Sequence, residues 1–150
     1  MEKIKSFTKI VSINRKAYFN YFLSDFTECG IVLKGTEIKS LREHSCSLAD
    51  SYVIVRNNEM EILNMHINPY EKGNIFNHDP LRTRKLLLHK KEIIYFNERT
   101  KKGGYTIVPT KVYLSKGKAK VEIALAKGKK LYDKRETIKK RDIDRENKDY

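Results

Sequence analysis

The sequence predicts a mainly β fold with short helices, an α+β protein in which five or six strands close into a small barrel. Short runs of β-branched and aromatic residues are separated by Gly, Pro and Asn, as in antiparallel sheets. These runs are too short and uneven for repeated βαβ units. After Ala126 the composition becomes highly charged, with too few apolar groups to bury a face. We therefore expect a folded body, residues 1–126, and a basic tail, residues 127–150, that is disordered alone and helical when bound.

A short amphipathic helix is expected near the start of the body. Asn14 is a good N-cap for the segment RKAYFNYFLS that follows it. Aromatic residues recur there at helical spacing and are expected in the core: Tyr18, Tyr21 and Phe22. The next segment, FTECGIVLKG, mixes β-branched residues with glycine and predicts a strand that bends. Residues 36–43 fit either a short helix or an extended segment.

Two strands joined by a tight turn follow. Asn57 and Asn58 tolerate the positive φ angles that a two-residue hairpin turn requires. Tyr52 alternates with Ile54 and is expected in the core. Residues 68–81 concentrate Pro, Gly and Asn and predict a long surface loop, where binding residues are often found.

The second half of the body contains a helix and the clearest hairpin. The helix is expected at about residues 89–100 and is ended by the glycines at 103 and 104. Two strands then flank a turn at residues 115–118, and Pro109 indicates an edge or a bulge in the first of them. Apolar residues of the second strand alternate with charged ones and are expected inside: Val121, Ile123 and Leu125.

The strong positive charge indicates a polyanionic partner. A formal net charge of +13 costs self-repulsion in the compact state unless nucleic acid or an anionic membrane offsets it. An OB-type barrel, which holds oligonucleotides on one sheet face and its loops, agrees with nucleic acid. A membrane-surface protein is the poorer alternative, because the basic tail lacks the apolar face of an interfacial helix. No stretch is apolar enough to span a bilayer and no signal peptide is visible, so we expect no membrane partner and a cytoplasmic protein.

Several side chains are candidates for contact with RNA. Arg82, Arg84 and Lys85 adjoin an apolar stretch and could anchor phosphates, although a solvated strand edge would have the same composition. Glu28 could accept hydrogen bonds from guanine or from ribose hydroxyls. Tyr132 lies in the basic tail beside two lysines and could stack on a base.

No catalytic apparatus is visible in the sequence. The four histidines show no metal-ligand spacing, and no phosphate-binding loop or nucleophile motif occurs. A metal-dependent nuclease assembled from scattered residues such as Glu37 and Asp50 is one alternative, and another OB-fold translation or ribosomal factor is a second. Cys29 and Cys46 lack CxxC spacing and are expected to be reduced thiols. We expect no enzymatic activity, no metal, no cofactor and no small-molecule substrate.

Six segments in order resemble the SsrA-binding (SmpB) protein family across most of the chain. They are NRKA, ECGIVLKGTEIKSLR, LADSYV, RTRKLLLHKKEI, YTIVPTKVY and KGKKLYDKRE. Their joint order and separation make the match specific. The resemblance implies an OB-type closed β-barrel with about three helices and a tail that is unstructured in solution. It also implies that the protein binds the tRNA-like domain of transfer-messenger RNA and delivers it to stalled ribosomes for trans-translation.

The resemblance further implies a set of RNA-binding residues. Positions matched to the family's RNA contacts, with their neighbours in the same segments, are Asn14, Lys16, Glu28, Gly30, Arg82, Arg84, Lys85, Leu87 and Lys120. The residues alone would assign Leu87 to the core. The resemblance instead implies an apolar contact between Leu87 and an exposed nucleotide.

In the tail, the resemblance implies contacts with the small-subunit decoding centre and the mRNA channel. The matched residues are Gly128, Lys129, Lys130, Tyr132, Asp133, Lys134 and Arg135. A basic tail gains phosphate contacts in such a channel only when the channel is empty, so it would sense the absence of mRNA. Elongation factor Tu is implied as a co-passenger, and we expect a monomer.

Overall fold

The computed structural model describes residues 8–72, 77–129, 135, 138 and 139. Within the described parts of residues 8–129 lie nine strands and three helices. The strands are β1 (Thr8–Ile13), β2 (Tyr21–Ile31), β3 (Cys46–Ser47), β4 (Tyr52–Arg56), β5 (Glu59–Leu63), β6 (His66–Ile67), β7 (Arg84–Leu87), β8 (Thr106–Ser115) and β9 (Lys118–Gly128). The helices are α1 (Arg15–Asn20), α2 (Gly35–Arg42) and α3 (Lys90–Lys102).

Seven of these strands form one antiparallel sheet in the order β1-β8-β4-β5-β7-β2-β9. A further pairing between β8 and β9 closes the sheet into a ring. The long strand β8 makes this possible, because it pairs with β9 along its length and with both β4 and β1 besides. The mainly β architecture with three helices is therefore confirmed, with more strands than the five or six expected. The assignment as an OB-type barrel stays a prediction.

The core fills the inside of the ring. Alternate residues of β9 point inward as predicted, and Val121, Ile123 and Leu125 are at most 1% exposed. Helix α3 contributes Phe96 to this core, and α2 contributes Leu41. A smaller cluster lies under α1, where Ala17 packs with Val108 and Ala126.

Two aromatic residues expected in the core are exposed instead. Helix α1 ends at Asn20, and the chain continues at once as β2, so that Phe22 pairs opposite Lys127 and is 53% exposed. Pairing between strands has overridden the helical spacing of these side chains. Tyr52 is 42% exposed because its neighbour Val53 occupies the inward position of β4. Residues 36–43, which the sequence left open, lie almost entirely in α2.

The predicted turns and helix end are confirmed. Asn57 and Asn58 have φ angles of 53° and 60° and connect β4 to β5. Gly103 is the C-cap of α3. The strand register shifts beside Pro109, as expected for a bulge. The predicted loop at 68–81 contains no helix or strand in its described parts, 68–72 and 77–81.

The folded body extends past the expected boundary at residue 126. Strand β9 continues to Gly128, and the Lys129 amide donates to the Asn20 carbonyl at 2.9 Å. Lys130, Tyr132, Asp133 and Lys134 lie outside the described residues. Arg135, Ile138 and Lys139 have helical backbones and exposed side chains. Among the described residues, no helix has the length and apolar character needed to cross a membrane.

Candidate nucleic-acid interface

Three of the predicted RNA-binding residues form one row across the outer surface of the sheet. Gly30 of β2 lies opposite Lys120 of β9 on one side and opposite Leu87 of β7 on the other. Residues directly opposite in neighbouring strands share a face. The flanking residues Cys29 and Leu86 are buried in the core, so the row faces outward. Strand pairing thus brings Gly30 and Leu87 together, although they are 57 positions apart in the chain.

Leu87 is an exposed apolar side chain within this row. Its exposed fraction is 50%, which excludes the core position that its sequence context suggested. Gly30 allows Leu87 to lie close to β2, because a Cβ atom at position 30 would be only 3.3 Å from the Leu87 Cβ. The result is an apolar contact point beside the strands that carry Glu28 and Lys120.

Glu28 lies on the same outward face, two residues before Gly30. Its side chain is exposed, and its carboxylate accepts a hydrogen bond from the Tyr113 hydroxyl. Tyr113 itself lies opposite Lys120 and therefore extends the row onto β8. Burial raises the pKa of Tyr113, and the neighbouring Glu28 raises it further, so the phenol keeps its proton at neutral pH. The Tyr113 hydroxyl thus fixes the orientation of the Glu28 side chain.

Tyr113 was not singled out by the sequence analysis. Its position after the inward-facing Val112 was the available signal, because alternation along β8 places Tyr113 on the outer face. Ile10 of β1, which lies opposite Tyr113 and is 47% exposed, continues the row by one more strand. We name the set of Ile10, Glu28, Gly30, Leu87, Tyr113 and Lys120 the sheet face.

Arg84 is buried inside the protein, which corrects the expected phosphate contact. Its side chain is fully buried, its Nε donates to the Glu37 carboxylate at 2.5 Å, and its Nη1 donates to the Met65 carbonyl at 2.6 Å. Arg82 donates to the other Glu37 oxygen at 2.6 Å and keeps 27% of its side chain exposed. A buried guanidinium with these partners cannot reach an RNA phosphate.

Glu37 joins α2 to the segment that carries β7. Burial alone would raise the pKa of Glu37, but hydrogen bonds from Arg82, the Lys34 amide and Arg84 outweigh burial and lower it. The carboxylate therefore stays charged and holds both arginines. This arrangement positions the strand on which Leu87 lies.

Lys85 differs from its neighbouring arginines because it faces solvent. Its Nζ lies 3.1 Å from the Glu59 carboxylate, and both side chains are about half exposed. A surface ion pair of this kind contributes about 0–1 kcal/mol, so RNA phosphates can compete for the lysine. Lys85 therefore remains available as an electrostatic contact.

Asn14 also serves within the protein. The side chain is 4% exposed, its Oδ1 accepts from the Ala17 amide at 3.2 Å, and its Nδ2 donates to the Pro109 carbonyl at 2.8 Å. The first bond confirms the predicted N-cap, and the second ties α1 to the bulge of β8. Both polar groups are engaged within the protein, and the direct RNA contact expected at Asn14 stays a prediction.

Lys16 lies in the first turn of α1, and its side chain is exposed. Its Nζ is 3.8 Å from Asp50, and both side chains are largely exposed. The two residues stand at the edge of an open cavity of about 790 Å³ that is lined by residues of α1, β4, α3 and β8. The structure thus does not join Lys16 to the sheet face by any described contact.

The described part of the chain offers no metal centre. No group of three or more His, Cys, Asp or Glu residues is arranged to hold a metal ion among those residues. Of the two carboxylates considered for a nuclease, Glu37 is bound by the arginines and Asp50 is exposed beside Lys16. Cys29 and Cys46 are free thiols, as predicted.

Comparison with known proteins identifies one family over nearly the whole chain. The family model described as "SmpB protein" matches residues 11–150. The chain is 56% identical to the SsrA-binding protein of Caldanaerobacter subterraneus subsp. tengcongensis, over 97% of this chain and 92% of that protein. It is 58% identical to the SsrA-binding protein of Malacoplasma penetrans, over 92% of this chain and 94% of that protein.

A solved structure has the same fold. It is described as "tmRNA-SmpB: a journey to the center of the bacterial ribosome", and it is 43% identical to this chain with a TM-score of 0.68. The match covers 80% of this chain and 85% of the other. The two proteins are therefore similar in both sequence and fold.

Proposed function

This chain belongs to the SmpB protein family, a family of RNA-binding proteins rather than enzymes. From that premise we propose that it binds the tRNA-like domain of transfer-messenger RNA. We further propose that it delivers this RNA to stalled ribosomes for trans-translation. The observation that carries the proposal is the sheet face, where a carboxylate, an exposed apolar side chain and a lysine lie together. Such a combination suits a folded RNA with exposed nucleotides better than a uniform duplex.

Each side chain of the sheet face has a distinct task in this proposal. Leu87 packs on the flat surface of an unstacked base, which removes apolar area from water. Lys120 neutralises a phosphate. Glu28 accepts hydrogen bonds from a guanine edge or a ribose hydroxyl, and the Tyr113 hydroxyl holds it in place while leaving acceptor sites on its carboxylate.

The tail serves a later step of the same process. We propose that residues 130–150 enter the empty mRNA channel, where Lys130, Lys134 and Arg135 neutralise phosphates and Tyr132 stacks on a base near the decoding centre. Arg135 is exposed, as this requires. Elongation factor Tu accompanies the complex, and the protein acts as a monomer in the cytoplasm.

A salt-titrated binding assay tests the RNA-binding step. The full chain is titrated with the tRNA-like domain, and an elongator tRNA serves as competitor. A preference for the tRNA-like domain that persists as salt rises indicates recognition beyond phosphate neutralisation. Equal binding of the two RNAs that collapses in salt contradicts the proposal and favours another basic translation factor.

Two variants assign the binding to the sheet face. Leu87→Ala and Glu28→Gln are each expected to weaken binding about tenfold, equivalent to about 1.4 kcal/mol. Leu81→Ala is the matched control for the first, because Leu81 is also a leucine exposed by about half but lies in the loop before β7. Glu43→Gln, at the exposed end of α2, is the control for the second. Unchanged affinity in both test variants would reject the sheet face as the site.

A truncation tests the tail. Because β9 and its contact with α1 extend to Lys129, the chain is shortened to residues 1–129 rather than 1–126. We expect full affinity for the tRNA-like domain and loss of peptide tagging on stalled ribosomes. Normal tagging by the shortened chain contradicts the role assigned to the tail.

A further inference from the structure

A second surface combines exposed aromatic rings with cations at the end of the sheet where β9 runs toward the tail. Phe22, Phe26 and Tyr95 are 53%, 49% and 37% exposed. Phe22 and Phe26 belong to β2, and Tyr95 lies on the outer side of α3. We name this surface the aromatic ledge. It comprises the rings of Phe22, Phe26, Tyr95 and Tyr105 and the cations of Arg99, Lys127 and Lys129.

Three rings of the aromatic ledge each have a cation of their own above them. The Lys129 Nζ lies 5.2 Å from the centre of the Phe22 ring, and the Arg99 guanidinium lies 5.2 Å from that of Tyr95. The Lys127 Nζ lies 5.3 Å from the centre of the Tyr105 ring. Cation–π contacts of this kind hold each positive charge beside an aromatic face.

Local structure holds these parts in register. Phe22 is paired opposite Lys127 across β2 and β9, so the two side chains share a face. The strand then bulges, Asp25 takes a positive φ of 54°, and its carboxylate accepts a hydrogen bond from the Tyr95 hydroxyl at 2.7 Å. This bond joins α3 to β2 and fixes the Tyr95 ring. Phe22 and Tyr95 are therefore presented on a strand and a helix that are joined to each other.

We propose that the aromatic ledge binds unpaired RNA nucleotides, as a second RNA-binding surface distinct from the sheet face. Exposed rings provide stacking platforms for bases of any sequence, and the cations beside them lie where the phosphates of a stacked strand pass. A net charge of +13 favours a polyanion over an acidic or neutral protein groove as occupant. The surface also adjoins Gly128 and Lys129, from which the proposed channel-binding tail continues.

This assignment does not depend on the sheet face. The two surfaces share no residue, and a bulge in β2 between Ser24 and Thr27 separates Phe22 from Glu28. Lys129 is part of the ledge and directly precedes residues 130–150 in the chain, so the ledge lies where the proposed tail leaves the folded body.

A stacking-sensitive probe provides the test. The full chain is titrated with a short single-stranded oligoribonucleotide that carries 2-aminopurine, whose fluorescence is quenched when it stacks. We expect quenching by the parent that persists at raised salt. In the double variant Phe22→Leu and Tyr95→Leu, we expect the quenching to be lost and the affinity to fall about tenfold or more, because stacking on each ring contributes to binding.

Two control variants distinguish the possible failures. Tyr52→Leu removes an aromatic ring of similar exposure from β4 and should leave quenching unchanged. Glu28→Gln should weaken binding of the tRNA-like domain without affecting the single-stranded probe. Unchanged quenching in the double variant would overturn the assignment. Absence of quenching by the parent would also overturn it and would indicate that another occupant, such as residues 130–150 or a protein, covers the ledge.

Discussion

Replacing Glu37 by alanine is expected to destabilise the protein strongly, because it leaves the buried charge of Arg84 without its carboxylate partner. The Glu37 and Arg84 side chains are both 0% exposed and are joined by a 2.5 Å contact. Removing one partner of a buried ion pair typically costs about 3–5 kcal/mol. For a domain with about 5–15 kcal/mol of total stability, this is a large fraction. We expect the melting temperature of Glu37→Ala to fall by about 10 °C or more.

Urea unfolding followed by circular dichroism measures this loss. Glu59→Ala is the matched control, because it breaks a pair with Lys85 in which both side chains are about half exposed, and it should cost about 0–1 kcal/mol. The double variant Glu37→Leu and Arg84→Met removes both buried charges and should recover most of the loss. A loss below about 1 kcal/mol in Glu37→Ala, or a double variant no more stable than the single one, would refute the reasoning.

The same pair predicts a pH dependence of stability. The pKa of Glu37 is lowered in the folded protein, so its contribution is fully present above the unfolded glutamate pKa of about 4.3 and is lost as pH falls through the folded value. The parent should therefore lose stability below about pH 4 more steeply than Glu37→Gln, which has no proton to bind. Parallel acid-unfolding curves for the two proteins would contradict this assignment.

Three further outcomes are expected. Gly30→Ala places a Cβ 3.3 Å from the Leu87 Cβ and must displace Leu87, so affinity for the tRNA-like domain should fall about threefold; unchanged affinity would contradict this. Asn14→Ala removes both the N-cap and the bond to the Pro109 carbonyl and should cost about 1–2 kcal/mol in urea unfolding, whereas a neutral change would show that these bonds are dispensable. Burial raises the pKa of the Cys29 and Cys46 thiols to about 12, so both should react slowly with a thiol reagent at pH 8, and the fully buried Cys29 should react only after unfolding; rapid reaction of both thiols in the folded protein would contradict this.

Local features were predicted from the sequence because few neighbouring residues decide them. Asn57 and Asn58 accept positive φ angles, and they form the turn they predicted. Alternation in β9 correctly placed Val121 and Ile123 inside. The cap at Asn14 was also correct, although the length of the helix that it begins was not, because pairing with β9 starts at Tyr21.

Residue patterns suggested Glu28 as an RNA contact, whereas Leu87 and Lys120 were predicted only through the family resemblance. Glu28, Leu87 and Lys120 are far apart in the chain, and only strand pairing with β2 joins them. Composition alone assigned Leu87 to the core, because a run of leucines does not reveal which one faces inward. Tyr113 was overlooked since its contact with Glu28 spans 85 residues.

The sequence by itself determined a basic, mainly β protein with a polyanionic partner, because net charge, turn residues and strand alternation are properties of the chain. Tertiary structure alone decided which charges face solvent. Arg84 and Lys85 are adjacent in sequence, yet one is fully buried against Glu37 and the other is half exposed. Successive residues of a strand point to opposite faces, and the partner that makes burial of Arg84 tolerable lies 47 residues away.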